Sequence, residues 1–185
     1  MHPKYFVTKN LNKLAEANRI LGFELLHIDL DLLEVQSLDV CEVVRQKAKD
    51  AFQKTGKVAL VEDTGLYFES WNGLPGALIK WFLENVGASG ILKMLGQEKN
   101  RAAVAKTAVG FFDGTETRIF IGETKGTIVS DLNSEGKTGF GWDVLFVPEG
   151  SDKSFAELSP QEKDALSMRK KALEKMREAS GTSGF

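Results

Sequence analysis

The chain has 185 residues, 42% hydrophobic and 27% charged, an ordinary balance for a soluble globular protein and enough to bury a substantial core. A formal net charge of −2 argues against a sequence-independent grip on long nucleic acid, while leaving room for a local cluster of Lys and Arg around a small anion. One cysteine, Cys41, and two histidines, His2 and His27, exclude an internal disulfide, a thiolate zinc site and a multi-histidine metal site, so any metal would be held by oxygen.

No apolar run approaches membrane-spanning length and the N-terminal residues lack the apolar core of a signal peptide, which predicts a cytoplasmic protein with no membrane partner. Residues 4–8 read as a first strand, and 10–21 as a helix with Leu14, Ala17 and Leu21 on one face and Gly22 as its stop. The turn between them, Thr8-Lys9-Asn10-Leu11-Asn12-Lys13, gathers hydroxyl, amide and ammonium groups. It either offers the free amides of a helix N-terminus to phosphate oxygens or is simply a helix capped by Asn10. Residues 23–28 form a second predicted strand, 29–37 a loop or edge segment carrying Glu34, and Asp39 starts a helix with Glu42 placed for a capping box. Val44, Ala48, Ala51 and Phe52 supply its buried stripe and Gly56 ends it, with Lys47 off the stripe, facing solvent or a cleft.

The apolar run Val58-Ala59-Leu60-Val61 predicts a strand buried on both faces, ending at Glu62-Asp63-Thr64-Gly65, where Gly65 permits a sharp turn. Gly73, Pro75 and Gly76 mark a second loop, followed by short helices at 78–86 and 89–95 around Gly87. Residues 102–112 and 117–122 pair as a hairpin across Asp113-Gly114, with 126–129 as a further strand. Phe140 and Trp142 flank Gly141, as core side chains or as a ligand platform, and Asp143 opens an apolar strand. Ser159-Pro160-Gln161-Glu162 has capping-box order and leads a helix to about Glu178, broken near Ser167, before a tail at 180–185 that is expected to fray. Interleaved strands and helices giving way to a hairpin predict a mixed α/β class, in one domain spanning residues 1–185.

Adjacent carboxylates at the end of a buried strand repel each other unless a cation sits between them or the turn is solvated. With Glu34, the pair Glu62 and Asp63 offers hard oxygen ligands suited to magnesium, with manganese as a substitute. Lys9, Lys13, Lys47, Lys80, Lys163 and Arg169 could balance the charges of a triphosphate, and the loop at Phe140 and Trp142 could stack a base. Together these are the parts of a magnesium-dependent phosphoanhydride hydrolase, in which the metal bridges phosphate oxygens and a carboxylate takes a proton from water.

Over nearly its whole length the sequence resembles the inosine triphosphate pyrophosphatase family. The resemblance is carried by Thr8, Asn10 and Lys13 (T-x-N-x-x-K), by Glu62-Asp63-Thr64-Gly65-Leu66 and by Gly73-Leu74-Pro75-Gly76. Ile79-Lys80-Trp81-Phe82, which is closer to eukaryotic-type members, Phe140-Gly141-Trp142-Asp143, Phe155-Ala156-Glu157-Leu158 and Glu162-Lys163 complete it. It implies hydrolysis of inosine, deoxyinosine and xanthosine triphosphates to monophosphate and pyrophosphate by a homodimer. The implied fold is an elongated mixed sheet with flanking helices and two lobes around a central cleft. Carried over by position, Asp63 is the general base and a metal ligand, Glu34 the other ligand, and Glu62 supports the metal and its waters. Thr8, Lys9, Asn10, Leu11, Asn12, Lys13, Lys47, Thr64 and Lys80 would hold the triphosphate. Phe140, Gly141, Trp142, Asp143, Lys163, Met168 and Arg169 would hold base and sugar.

Two departures fall near the expected base site. The family's S-H-R is Ser167-Met168-Arg169, so an imidazole is missing, and Asp164 stands where a neutral Asn or Ser is usual. Two rival readings use the same residues: a nucleotide-binding sensor without catalysis, and a pyrophosphatase for modified pyrimidine triphosphates. The retained carboxylates weigh against the first and the F-G-W-D and terminal motifs against the second.

Overall fold

A computed structural model describes residues 3–132 and 140–179; the tail at 180–185 and the start of the aromatic segment lie outside the described residues. In chain order the elements are β1 (Tyr5–Val7), α1 (Leu11–Leu21), β2 (Leu26–Ile28), α2 (Val40–Thr55), β3 (Ala59–Phe68), β4 (Pro75–Gly76) and α3 (Ile79–Leu95). There follow β5 (Ala102–Phe112), β6 (Thr117–Ile128), β7 (Phe146–Pro148), α4 (Pro160–Leu166) and α5 (Met168–Ala179). The strands form one seven-stranded sheet in the order β2-β1-β3-β5-β6-β7, with β4 paired to β3. β1 runs parallel to β2 and β3, and every other pairing is antiparallel, so the sheet is mixed, as the α/β pattern predicted.

Local chemistry sets the helix ends. Asn10 caps α1 through its side-chain oxygen, which accepts from the amides of Asn12 and Lys13 at 3.0 and 3.3 Å, and Gly22 closes it in the left-handed conformation. Asp39 caps α2, but the expected reciprocal bond from Glu42 is relayed: Asp39 N donates to Ser37 Oγ, which donates to Glu42 at 2.6 Å. Ser159 and Glu162 form the full capping box of α4, and the chain breaks at Ser167 before α5. Gly87, at φ +68°, interrupts α3 as its two expected halves required.

The long strands depart from expectation. β3 does not turn at Gly65 but continues to Phe68, in register with β5 from Val61 onward. Gly65 is needed for closeness instead: a Cβ there would lie 2.8 Å from the Gly76 carbonyl carbon and 2.9 Å from Ala77 N. β6 likewise runs unbroken to Ile128, paired with β5 along its length, and Gly122 lets the start of α5 lie directly on the strand. Asp143 opens a short 3-10 turn, and the strand begins only at Phe146.

Strand alternation separates the cores. Leu60 points with Val109 and Phe111 toward α1 and α5, where Phe6, Ala17, Leu173 and Met176 join it. Val61 and Ala59 point the other way, onto Val44, Ala48 and Ala51 of α2. A third core gathers Leu66 and Phe68 from the far half of β3, Ile91 of α3, and Trp142, Phe146 and Phe155. The first two cores build one lobe and the third builds the other. Glu62, Asp63 and Thr64 fall at the junction.

Candidate active site

A cavity of about 550 Å³ opens at that junction, lined by Thr8, Lys9, Asn10 and Lys13 from the β1–α1 turn, Glu34, Lys47, Glu62 to Thr64, Lys80, Phe140 to Asp143, Met168 and Arg169. Its position follows from the fold: β3 crosses from one lobe to the other, and three of its polar side chains are carried into the gap.

The alternation that divides the cores also divides the acids. Glu62 faces α1 and α5, where Arg169 grips it with Nε at 2.7 Å and Nη2 at 2.9 Å, Lys13 stands 3.2 Å away and Thr64 donates at 2.9 Å. Burial alone would push its pKa up, but Arg169 and Lys13 outweigh it and hold the carboxyl well below the usual range. Asp63 faces α2, half-buried, with Lys47 Nζ at 3.6 Å and no comparable grip. There burial prevails over Lys47 and Lys13, Glu34 and Glu62 add repulsion, and the pKa rises. The expected like-charge conflict is thus resolved by placement on opposite faces, each acid with its own cation. Of the two, Asp63 is the one whose surroundings favour taking a proton.

Glu34 sits on the loop between β2 and α2. That loop is pinned to α2 by Asp50, which accepts from Leu33 N at 2.7 Å, and by Lys54, which donates to the Asp31 carbonyl at 2.8 Å. Glu34 then accepts from Lys47 at 2.8 Å, and although burial opposes it, Lys47 draws its pKa down. Glu34 and Asp63 therefore converge on one ammonium. Magnesium typically takes one or two carboxylates, several waters and substrate phosphates, so this oxygen pair fits it. Among the described residues no group of three or more His, Cys, Asp or Glu side chains forms a complete cage.

Behind the cavity wall formed by Phe140 and Asp143, Lys163 is buried between Glu16 at 2.8 Å and Asp143 at 2.7 Å, with the Phe140 ring at 4.5 Å. Asp143 in turn accepts from Phe140 N at 2.8 Å, which fixes the aromatic turn, and Gly141 there has φ +64°. Trp142 packs edge-on against Phe146 while bordering the cavity, so it is both core and wall. Met168 is buried in the same wall.

Some expected residues are placed differently. The α1 turn has two of its amides taken by the Asn10 cap, and its ammonium groups, Lys9 paired with Asp31 and Lys13 paired with Glu62, border the cavity. Leu11, Asn12 and Lys163 do not border the cavity. Asp164 is turned away from the base end, binding Arg19 of α1 with Nη2 at 2.9 Å, so that departure concerns how α4 sits on α1. The sequence reading missed Glu16, whose buried carboxylate binds both Lys163 and Arg169. Its spacing of three from Lys13 puts it on the same helix face, a usable signal. It also missed Thr107, which shares a hydrogen bond with Thr64 at 2.8 Å.

Comparison with known proteins identifies the lineage of this arrangement. The family model described as the Ham1 family matches residues 4–179. The chain belongs to the Ham1 family. The inosine triphosphate pyrophosphatase of Kluyveromyces lactis is 39% identical over 183 residues, covering 94% of this chain and 93% of that protein. The dITP/XTP pyrophosphatase of Methanopyrus kandleri is 40% identical over 177 residues, covering 94% and 93%. Among solved structures, a HAM1 protein from Coxiella burnetii superposes with a TM-score of 0.82 at 27% identity, covering 95% of this chain and 96% of that one. The Ham1 fold thus accounts for the mixed sheet, its flanking helices and the interlobe cavity.

Proposed function

We propose that this chain hydrolyses nucleoside triphosphates carrying non-canonical purines, namely inosine, deoxyinosine and xanthosine triphosphates, to the monophosphate and pyrophosphate, clearing them from the nucleotide pool. The observation that carries the reading is the division of labour on β3: Glu62 is locked ionised by Arg169, while Asp63, beside it, keeps an elevated proton affinity in a lysine-lined cavity. The names of the related proteins support the substrate class.

In this reading the triphosphate lies against Lys9, Lys13, Lys47 and Lys80, with Thr8, Asn10 and Thr64 beside it, and the base enters between Phe140, Trp142 and Met168. Asp63 accepts a proton from water as the water oxygen bonds to the α-phosphorus. The bond from that phosphorus to the αβ-bridging oxygen breaks, and pyrophosphate leaves. Glu34 and Asp63 would hold magnesium, which supplies charge neutralisation across the phosphates. Glu62 keeps Arg169 and Lys13 in position, and Lys163 holds Asp143 and the Phe140 turn. The family resemblance supports a cytoplasmic homodimer as the working form. A pure sensor would need no carboxylate held in a basic state, which favours catalysis over binding alone.

The test is a turnover panel of inosine, xanthosine, adenosine, guanosine and modified pyrimidine triphosphates. Inosine and xanthosine triphosphates are expected to lead, with pyrophosphate release abolished by EDTA and restored by magnesium or manganese. Tight binding without turnover would favour the sensor, and orthophosphate as the first product would exclude a pyrophosphatase.

A further inference from the structure

Lys47 occupies the centre of the cavity's charges. Its Nζ donates to Glu34 Oε1 at 2.8 Å and to the Glu62 carbonyl at 3.0 Å, and stands 3.6 Å from Asp63 Oδ1. Two of the ammonium's three donors are met by Glu34 and the Glu62 carbonyl, and Asp63 is held as an ion pair. The side chain is only 11% exposed and rises from α2, which is capped at both ends, so the ammonium is held and not merely drifting through the cavity. Burial disfavours its charge, yet Asp63 and Glu34 outweigh burial and keep it protonated. Without it, Glu34 and Asp63 would repel each other with Lys80 and Lys13 left to offset the repulsion.

We propose that Lys47 is a cationic placeholder, standing between Glu34 and Asp63 in the free protein so that a divalent cation binds there only weakly until a triphosphate arrives. This deepens the proposed function, and rests on it in taking Glu34 and Asp63 as the carboxylates for the cation. Triphosphate oxygens offer the ammonium a new partner, freeing the two carboxylates as the cation enters. Metal and nucleotide then bind with positive coupling, and linkage makes the coupling reciprocal. The free protein accordingly does not assemble its full electrophilic site before there is a substrate to act on.

The probe is Mn2+ alone, without nucleotide, at mildly alkaline pH, with the free ion followed by electron paramagnetic resonance. Lys47→Gln is expected to bind Mn2+ at least tenfold more tightly than the wild type, and the double variant Glu34→Gln/Lys47→Gln to lose that gain. A gain below tenfold, or one that survives Glu34→Gln, overturns the placeholder. Deleting a buried ammonium puts the fold at risk, so the wild type supplies a second arm through its Tm in millimolar Mn2+ without nucleotide. No change in Tm supports weak binding, whereas a clear rise means that the cation already binds tightly past Lys47 and overturns the proposal. Neither readout needs turnover. Failure of the reaction reading would show separately, as a wild type that releases no pyrophosphate.

Discussion

Glu62 and Asp63 are neighbouring carboxylates that the fold drives in opposite directions, and substitution by the matching amide separates them. The pKa of Asp63 is raised on folding, so the folded protein holds its proton more readily than the unfolded chain and its ionisation costs stability at neutral pH. Asp63→Asn is therefore expected to keep or raise Tm while lowering kcat by about 10²–10⁴-fold, the usual worth of a general base. The pKa of Glu62 is lowered, so its contribution to stability is present above the ordinary carboxylate range and lost as pH falls through the depressed folded value. Glu62→Gln breaks a buried pair with Arg169 and is expected to cost about 3–5 kcal/mol of folding stability. Denaturant unfolding of both variants at neutral pH, with kcat for inosine triphosphate, checks this; equal destabilisation of the two would refute the assignment. The acid limb of kcat/KM should likewise lie above the ordinary aspartate range, because Asp63 must be ionised to accept a proton.

At the scale of elements, the site depends on α5 lying directly on β6. A Cβ at Gly122 would fall 1.8 Å from the carbonyl oxygen of Met168 and 2.7 Å from Ala172 N, both backbone atoms that no side-chain rotation can relieve. Gly122→Ala is expected to cost about 1–3 kcal/mol as overpacking, a fall in Tm of roughly 2–4 °C per kcal/mol for a chain of this size. It should also impair turnover, since the displaced segment carries Met168 and Arg169. An unchanged Tm would mean that α5 can slide along β6 without penalty. The same contact shows what was legible beforehand. Caps at Asn10, Ser159 and Gly22, and the break at Gly87, were readable because they depend on neighbours in sequence. The course of β3 through Glu62 and Asp63 was not, because the cation that makes a buried Glu62 tolerable comes from Arg169, 107 residues away. Gly65 looked like punctuation, yet it, like Gly122, is small to admit a distant backbone. Most of the expected site residues border one cavity, Leu11, Asn12 and Lys163 excepted, whereas Glu16 and the outward turn of Asp164 emerge only from how α1, α4 and α5 pack.

For the whole molecule, the two lobes meet where β3 crosses between them, so the cavity and its charges are consequences of one strand shared by separate cores. One lobe supplies Lys13, Lys47 and Glu34, around the proposed place of the phosphates, and the other supplies the aromatic turn held by Lys163. Among the described residues no helix is long and apolar enough to cross a membrane. Attack by water at the α-phosphorus beside Asp63 is tested most directly by isotopic labelling. Inosine triphosphate is hydrolysed in water enriched in oxygen-18, and both products are weighed by mass spectrometry. Attack at the α-phosphorus places one labelled oxygen in inosine monophosphate and none in pyrophosphate. Label in pyrophosphate, or a diphosphate nucleoside with labelled orthophosphate, would contradict it.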